Sequence, residues 1–227
     1  MPQGAISPYL VPNFYGDALA NGRHRDIVGG RWDETGRAQM AALCAEGLAP
    51  HHRLLDIGAG ALRLGCKAVP YLDPGNYWGT DLSGPLMQRG YQLELAQKDR
   101  LSPAQLVEDS NFAFPGVPDI IDYAIAFAVF THLPADHLAP ALANLSARFS
   151  HLQRLLFTVF LAPDTTAQTP YRQADGVVTH PNRAPYHVLG GDVITQCHAS
   201  GFTAERRETR LPRGQALFVA KRTAQSK

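Results

Sequence analysis

The chain has few cysteines, no long hydrophobic run and no signal-like N-terminus. Its 227 residues include three cysteines, whose spacing matches no metal knuckle and no CxxC pair. Such a sparse set is typical of a reducing compartment. The longest apolar run is too short to cross a bilayer, and no basic region followed by an apolar core opens the chain. We therefore expect a cytoplasmic protein without a signal peptide or a membrane span.

The sequence also lacks an excess of charge and a cluster of metal ligands. The formal net charge is +1 and the basic residues are scattered, so neither nucleic acid nor a membrane is predicted as a partner. No group of carboxylates and histidines has the spacing of a metal site, and we expect no metal. The hydrophobic fraction of 45% and the length fit one globular domain.

Short apolar segments alternate with helical patterns along most of the chain. Strands are predicted at 53–57, 76–80, 106–107, 119–129 and 152–161, and helices at 33–48, 61–72, 84–99, 134–149 and 192–200. Two last segments, 202–210 and 215–221, flank a Pro-Arg-Gly turn and predict an antiparallel hairpin. This alternation indicates an α/β fold, a three-layer α/β/α sandwich with a mostly parallel sheet.

Two segments stand outside this pattern. Residues 1–32, which include Tyr15, show no period and predict an N-terminal arm or lid. Residues 33–227 form the predicted domain, and a Pro- and Thr-rich stretch at about 162–190 is predicted to be an insertion on the substrate side.

The most informative segment is a glycine turn after the first predicted strand, Asp56-Ile57-Gly58-Ala59-Gly60. Glycine leaves room for a ligand to lie against the backbone, and a helix that follows such a turn presents unpaired N–H groups. Asp81 stands twenty-one residues beyond Gly60, at the end of the next strand. A carboxylate there can accept both hydroxyl groups of a ribose.

The residues around this turn favour a nucleoside that carries an amino group over a dinucleotide. A dinucleotide site needs a third small residue, but that position is Arg63. A pyrophosphate would also meet the negative charge of Asp56, whereas an amino group would be attracted to it. S-adenosylmethionine carries an amino group, a carboxylate and a ribose but no phosphate. The sequence therefore predicts S-adenosylmethionine as the ligand.

At this point the chain resembles the class I S-adenosylmethionine-dependent methyltransferases. Residues 54–60 resemble the first motif of that family, 77–83 the second, 107–110 the third and 119–127 the fourth strand. The resemblance implies a seven-stranded sheet with strand order 3-2-1-4-5-7-6, and S-adenosylhomocysteine as the product. The predicted donor-binding residues are Asp56, Gly58, Ala59, Gly60, Asp81, Leu82, Asp109, Ser110 and Phe127.

Candidate residues for catalysis and acceptor binding follow from their places after the strands, where open α/β sheets bind ligands. His132 follows the fourth strand, and His187 lies in the insertion; both are candidate general bases. The candidate acceptor-binding residues are Tyr15, Tyr171, His180 and Tyr186.

We therefore predict a methyltransferase that acts on an oxygen or nitrogen of a small metabolite by in-line transfer. Two alternatives stay open at this level. One is a non-catalytic scaffold or partner subunit that binds S-adenosylmethionine, and the other is a nucleotide-dependent oxidoreductase, which Arg63 and Asp56 disfavour. The sequence identifies neither the acceptor nor the oligomeric state, and a homodimer is left open.

Overall fold

The computed structural model describes residues 7, 9, 11, 13–209 and 211–223. The chain divides into two compact units. The N-terminal unit lies within Pro12–Ile125. The C-terminal unit is Ala126–Lys227, to which Tyr9 also belongs.

The described helices and strands follow the predicted alternation closely. The α-helices are α1 Gly16–Ala20, α2 His24–Ile27, α3 Trp32–Ala45, α4 Gly65–Tyr71, α5 Gly84–Leu93, α6 Leu138–Arg148 and α7 Gly190–Ala199. The strands are β1 Leu54–Ile57, β2 Tyr77–Asp81, β3 Leu106–Glu108, β4 Tyr123–Ala126, β5 Arg154–Leu161, β6 Tyr171–Arg172, β7 Val178–Thr179, β8 His187–Val188, β9 Phe202–Arg207 and β10 Ala216–Arg222.

The main sheet confirms the predicted α/β class and strand order but has one strand more than expected. Seven strands follow the order β3-β2-β1-β4-β5-β10-β9, and β8 pairs with β5 as the eighth. The predicted count of seven was therefore wrong. The pairings of β1 with β2 and of β2 with β3 are parallel, and β10 is antiparallel to both β5 and β9.

In the N-terminal unit, β1 is buried along its whole length, as expected of a parallel strand that is covered on both faces. Helix α5 begins after Ser83, whose hydroxyl oxygen accepts a hydrogen bond from the N–H of Leu86 at 3.3 Å. A Cβ added at Gly90 of α5 would lie 2.2 Å from the carbonyl oxygen of Ala61. The helix therefore packs directly against the backbone that follows β1.

The helix after the glycine turn starts later than predicted. The expected start was residue 61, but α4 begins at Gly65. Leu62 is fully buried and has a φ of 62°, a left-handed conformation that cannot belong to a right-handed helix. Residues 60–64 form turns instead, so the backbone next to Gly60 is a loop rather than a helix N-terminus.

In the C-terminal unit, the core lies around β5 and its antiparallel neighbour β10. Their register places Phe157 opposite Phe218, and the two rings are stacked with centroids 5.6 Å apart. Helix α6 buries residues three and four positions apart, and α7 packs on β9 and α6. None of the helices in the described part of the chain is long and apolar enough to span a membrane.

The eighth strand comes from the segment predicted as an irregular insertion. The pairing of β10 with β5 ends at Val159, and β8 then pairs in parallel with Phe160 and Leu161. The two residues satisfy backbone groups at the end of β5 that would otherwise need another partner. Strands β6 and β7 form a separate antiparallel pair in the same segment. All three strands have two residues, too few for a periodic pattern to reveal them.

Candidate functional site

The glycine turn is held by the neighbouring strand β2. The backbone N–H groups of Gly58 and Ala59 both donate to the carbonyl oxygen of Thr80, at 2.7 and 3.0 Å. Gly58 and Gly60 have φ values of 73° and 54°, which favour glycine. The side chain of Ala59 points toward Gly79 of β2. A Cβ added at Gly79 would lie 3.2 Å from the Cβ of Ala59. The turn is therefore a rigid feature in which two residues need to lack a side chain.

Asp81 joins the end of β2 to this turn. Its Oδ2 atom accepts a hydrogen bond from the N–H of Gly60 at 2.9 Å, and its Oδ1 atom accepts one from Ser83 at 3.0 Å. Burial raises the pKa of Asp81 to about 6, although the backbone hydrogen bonds act in the opposite direction. A carboxylate has about four acceptor positions. The N–H of Leu82 also acts on this carboxylate, and the acceptor capacity that remains can serve a ribose hydroxyl. Leu82, the next residue, is half-buried.

Asp56 occupies a drier place on the same turn. The carboxyl group is 2% exposed, and its Oδ2 accepts a hydrogen bond from the hydroxyl of Tyr77 at 2.7 Å. Burial raises the pKa of Asp56 to about 7, while Tyr77 and the positive charge of Arg63 lower it. An ammonium group beside this carboxylate would favour its charged form.

The predicted adenine-side residues take a different local role. Both carboxylate oxygens of Asp109 accept backbone hydrogen bonds, from Asn111, Ala113 and Phe114 at 2.9 to 3.2 Å. The side chain thereby shapes its own loop. The N–H of Asp109 also donates to the carbonyl of Asp81 at 2.9 Å, which brings Ser110, an exposed residue, next to the end of β2. The predicted adenine contact of both residues stays a prediction.

A segment of the N-terminal arm covers the glycine turn. A Cβ added at Gly60 would lie 2.8 Å from Cγ1 of Val28, so the valine side chain packs on the glycine. The guanidinium of Arg63 donates to the carbonyl oxygens of Val28 at 2.9 Å and Gly30 at 3.3 Å. Arg63, which the sequence showed only as an obstacle to a dinucleotide, thus fixes residues 28–30 over the turn.

Replacing Arg63 with glutamine should free this segment. A shorter neutral side chain loses the two bonds to Val28 and Gly30, and we expect hydrogen exchange at residues 28–30 to become about tenfold faster. The measurement is amide exchange followed by mass spectrometry. Arg37→Gln, which removes only a bond to the carbonyl of Asp33 in its own helix, is the matched control. Equal exchange rates in both variants would show that the Arg63 side chain does not hold residues 28–30 in place.

Helices α2 and α5 are also tied together, by an ion cluster that the sequence did not reveal. Glu94 accepts hydrogen bonds from His24 at 2.6 Å and from Arg25 at 2.6 and 2.8 Å. These contacts lower the pKa of Glu94, and Arg25 also lies 5.0 Å from the ring of Trp32. Tyr15, a predicted acceptor residue, lies in the same unit, half-buried at the start of α1.

In the C-terminal unit, the chain turns sharply after β4. Phe127 is buried, and Ala128 has a φ of 62°, a strained value for alanine. Two hydroxyl groups hold this residue in place. Thr158 Oγ1 accepts a hydrogen bond from the N–H of Ala128 at 2.7 Å, and Thr131 donates to its carbonyl at 2.9 Å. The turn thus fixes the direction in which His132 leaves the sheet.

His132 is half-buried, and burial of its ring favours the neutral imidazole. Its ring meets the ring of Tyr9 edge-on, with centroids 4.8 Å apart, and its Nδ1 is buried without a hydrogen-bond partner among the described residues. Burial, with a smaller effect from the positive charge of Arg213, lowers the pKa of His132 to about 4. The imidazole can therefore accept a proton at physiological pH, but only as a weak base.

His187 is tied to the insertion through both ring nitrogens. It is 4% exposed, with Nδ1 at 2.9 Å from the hydroxyl of Thr179 and Nε2 at 3.2 Å from the carbonyl oxygen of Ala167. A neutral imidazole has one donor and one acceptor. These two contacts use both, so His187 joins two parts of the insertion, and its predicted role as a base stays a prediction.

The remaining predicted acceptor residues lie along the same segment. His180 and Tyr186 form an isolated bridge, and the N–H of Tyr186 donates to the carbonyl of Thr131 at 2.8 Å. Burial lowers the pKa of His180 and raises that of Tyr186. Tyr171 lies half-buried on β6. The insertion is thereby joined, through Tyr186, to the turn that carries His132.

Two kinds of residue escaped the sequence analysis. Arg63 and Glu94 act through partners far away in the chain, which no local pattern reveals. Thr158 gave a usable signal, because it is the one polar residue inside the apolar run of β5. In the described part of the chain, no three histidine, cysteine or acidic side chains are grouped so that they could hold a metal ion.

We compared the chain with protein-family models, curated proteins and solved structures. No protein-family model and no curated protein matches the chain. Solved structures do match over almost the whole chain. Magnesium protoporphyrin IX methyltransferase from Synechocystis, with bound S-adenosylmethionine, is 17% identical; the match covers 97% of this chain and 99% of that chain with a TM-score of 0.63.

Two further methyltransferases match over more than nine-tenths of the chain. The 1,6-didemethyltoxoflavin-N1-methyltransferase from Burkholderia thailandensis, with 1,6-didemethyltoxoflavin and S-adenosylhomocysteine bound, is 17% identical, with coverage of 97% and 94% and a TM-score of 0.63. A TehB-like S-adenosylmethionine-dependent methyltransferase from Corynebacterium glutamicum is 18% identical, with coverage of 93% and 100% and a TM-score of 0.57. The chain therefore has the fold of S-adenosylmethionine-dependent methyltransferases.

Proposed function

We propose that the protein is an S-adenosylmethionine-dependent methyltransferase that acts on an oxygen or nitrogen atom of a small molecule. The observation that carries this proposal is the contact between Asp81 and the N–H of Gly60. It joins the carboxylate at the end of β2 to the glycine turn after β1, so that acceptors for a ribose lie beside the backbone of Gly58 and Gly60, on the second of which Val28 packs. The fold of the compared methyltransferases supports the same assignment.

The residues present fit this donor. Asp81 keeps acceptor capacity for a ribose hydroxyl, and Asp56, whose burial opposes its charge, would be relieved by the amino group of the donor. We propose that Gly58, Ala59 and Leu82 line the same place. S-adenosylmethionine supplies a methyl group on a positively charged sulfur. The chain's own task is then to hold the donor, exclude water and present the acceptor in line.

We propose that His132 helps to remove a proton from the acceptor. The ring is neutral, because burial keeps its pKa near 4. A base that weak gives a small advantage, and we expect His132→Gln to lower kcat about tenfold while the Kd for S-adenosylhomocysteine stays unchanged. The measurement is turnover with an acceptor found in the screen below. The exposed His151, changed to Gln, is the control, and equal rates in both variants would remove His132 from this role.

The acceptor is proposed to be a small molecule rather than a nucleic acid or a membrane lipid. The net charge of +1 gives the chain no general attraction to a polyanion. The similar N1-methyltransferase binds 1,6-didemethyltoxoflavin, which supports an acceptor of that general size. We propose that the enzyme works in the cytoplasm, and a homodimer stays a prediction.

One experiment tests the activity. The protein is incubated with S-adenosylmethionine carrying a labelled methyl group and a panel of hydroxylated and amino-substituted aromatic and heterocyclic compounds, and transfer of label is measured. We expect transfer to at least one compound. Tight binding of S-adenosylhomocysteine with no transfer across the panel would favour the alternative of a non-catalytic scaffold. The oxidoreductase alternative is disfavoured by Arg63, whose side chain fills the position where a dinucleotide site needs a small residue.

A further inference from the structure

A cavity of about 670 Å³ lies in the C-terminal unit, beyond the carboxyl end of β5. Its walls are residues 161–164, the β6 hairpin, the first residues of α7 and the connection from β9 to β10. The volume is within the range of small-molecule sites. Ligands of open α/β sheets bind at this end of the strands. None of the residues that line the cavity belongs to the glycine turn.

One polar side chain in this cavity is buried and held in a fixed orientation. Gln215 is 7% exposed, and its Oε1 accepts a hydrogen bond from the hydroxyl of Thr158 at 2.6 Å. The N–H of Ala128 already donates to Thr158 Oγ1, which leaves the hydroxyl proton to be donated. Because the hydroxyl of Thr158 donates to the amide oxygen of Gln215, the NH₂ group of Gln215 points the other way.

The NH₂ group of Gln215 is available to a ligand. Within the described part of the chain, Nε2 has no hydrogen-bond partner, and it is not among the side-chain nitrogens that are sealed away from solvent. Its two N–H donors are therefore within reach of water or of a molecule in the cavity that Gln215 lines. A hydrogen-bond acceptor on a bound molecule would take the place of that water.

The other lining groups indicate a neutral molecule. Arg206 and Arg207 are balanced by Asp164 and Glu208, so the cavity has no net charge from its ionisable residues. The rest of the lining mixes apolar side chains of leucine, alanine and proline with polar ones such as Tyr171 and Gln173. An anion would gain little from such a balanced set, whereas a ring compound that has apolar faces and an acceptor atom would match both the lining and the amide.

We propose that this cavity takes the methyl acceptor, that the acceptor is a neutral ring compound with a carbonyl or ring nitrogen, and that Gln215 selects it by donating a hydrogen bond to that atom. The proposal rests on the proposed function, because it assigns the acceptor side of the same reaction. It makes Gln215 a specificity-determining residue, and it links the acceptor through Thr158 to the strained turn at Ala128 that precedes His132.

The test uses two probes of similar size, quinolin-2-one as a neutral lactam and 2-naphthoate as an anion. Binding of each to the whole protein is measured by ligand-observed NMR in the presence of S-adenosylhomocysteine. We expect quinolin-2-one to bind more tightly than 2-naphthoate, and Gln215→Leu and Gln215→Met each to weaken its binding about tenfold. The exposed Lys221, which does not line the cavity, changed to Gln, should leave the lactam unaffected.

The result separates this inference from the proposed function. All variants should bind S-adenosylhomocysteine as the unchanged protein does. Failure of quinolin-2-one to bind, equal binding to the Gln215 variants, or tighter binding of 2-naphthoate would each overturn the assignment of the cavity. Failure of the unchanged protein to bind S-adenosylhomocysteine would instead overturn the methyltransferase proposal, and the lactam titration would still report on the cavity.

Discussion

Replacing Asp81 with asparagine is expected to weaken the binding of S-adenosylhomocysteine about 100-fold. The carboxylate accepts hydrogen bonds from Gly60 and Ser83 and would also accept from a ribose. An asparagine turns one oxygen into a donor, which then faces either a backbone N–H or a ribose hydroxyl. A lost bond between a ribose hydroxyl and this charged group is worth about 1.5 to 3 kcal/mol, which is roughly a 10- to 160-fold change in Kd and includes the expected factor.

The measurement for Asp81→Asn is calorimetric titration, with Asp73→Asn as the matched control. Asp73 is an exposed carboxylate in the turn before β2, away from the carboxyl ends of the strands. Thermal unfolding of both variants shows whether the turn still folds. A variant that folds normally and binds S-adenosylhomocysteine as tightly as the unchanged protein would disprove the role of Asp81.

Replacing Asp56 with asparagine is expected to stabilise the free protein at pH 8 while it weakens donor binding. Burial raises the pKa of Asp56 from 3.8 to about 7 in the folded state. The folded protein therefore keeps a proton that the unfolded chain has already lost between about pH 4 and pH 7, and stability falls as the pH rises through this window. Asparagine carries no charge, so the Asp56→Asn variant does not lose stability in this pH window.

The size of this stabilisation follows from the pKa difference. It corresponds to a free energy of unfolding higher by on the order of 2 to 4 kcal/mol at pH 8, and to a Tm higher by about 5 to 10 °C. The gain should shrink to about 1 kcal/mol at pH 4.5, close to the unfolded pKa of 3.8, because little of the proton uptake difference is left there. Thermal unfolding of the ligand-free protein at pH 4.5 and pH 8 measures it, and an equal Tm difference at both values would contradict the buried charge.

Donor binding should respond to Asp56 in the opposite sense. The ammonium of S-adenosylhomocysteine favours the charged carboxylate, so its affinity for the unchanged protein should rise about tenfold between pH 6 and pH 8. In Asp56→Asn this rise should shrink to the part that belongs to Asp81, whose pKa of about 6 places its titration mostly below pH 7. A pH-independent affinity in the unchanged protein would show that Asp56 does not meet the amino group.

The parts of the site that the sequence predicts well are those set by local chemistry. A buried strand, two glycines and an acid at the end of the next strand identify the turn and Asp81, and the hydrogen bond between Asp81 and Gly60 joins them in the structure. The start of α4 was misplaced because Leu62 adopts a left-handed conformation, which leucine rarely does and its neighbours in sequence do not signal.

Other features depend on residues that meet only in the folded chain. Arg63 lies 33 and 35 residues from its partners Gly30 and Val28, and Thr158 lies 57 residues from Gln215. Only tertiary packing sets such pairs. The two-residue strands of the insertion are equally invisible, because they exist only where β5 or a neighbouring strand offers free backbone groups.

The most direct measurement is a pair of calorimetric titrations of the unchanged protein, one with S-adenosylhomocysteine and one with NAD. We predict saturable one-to-one binding of S-adenosylhomocysteine and no heat of binding from NAD at the same concentrations. Binding of NAD alone, or of neither compound, would contradict the assignment of the glycine turn and Asp81 to the methyl donor.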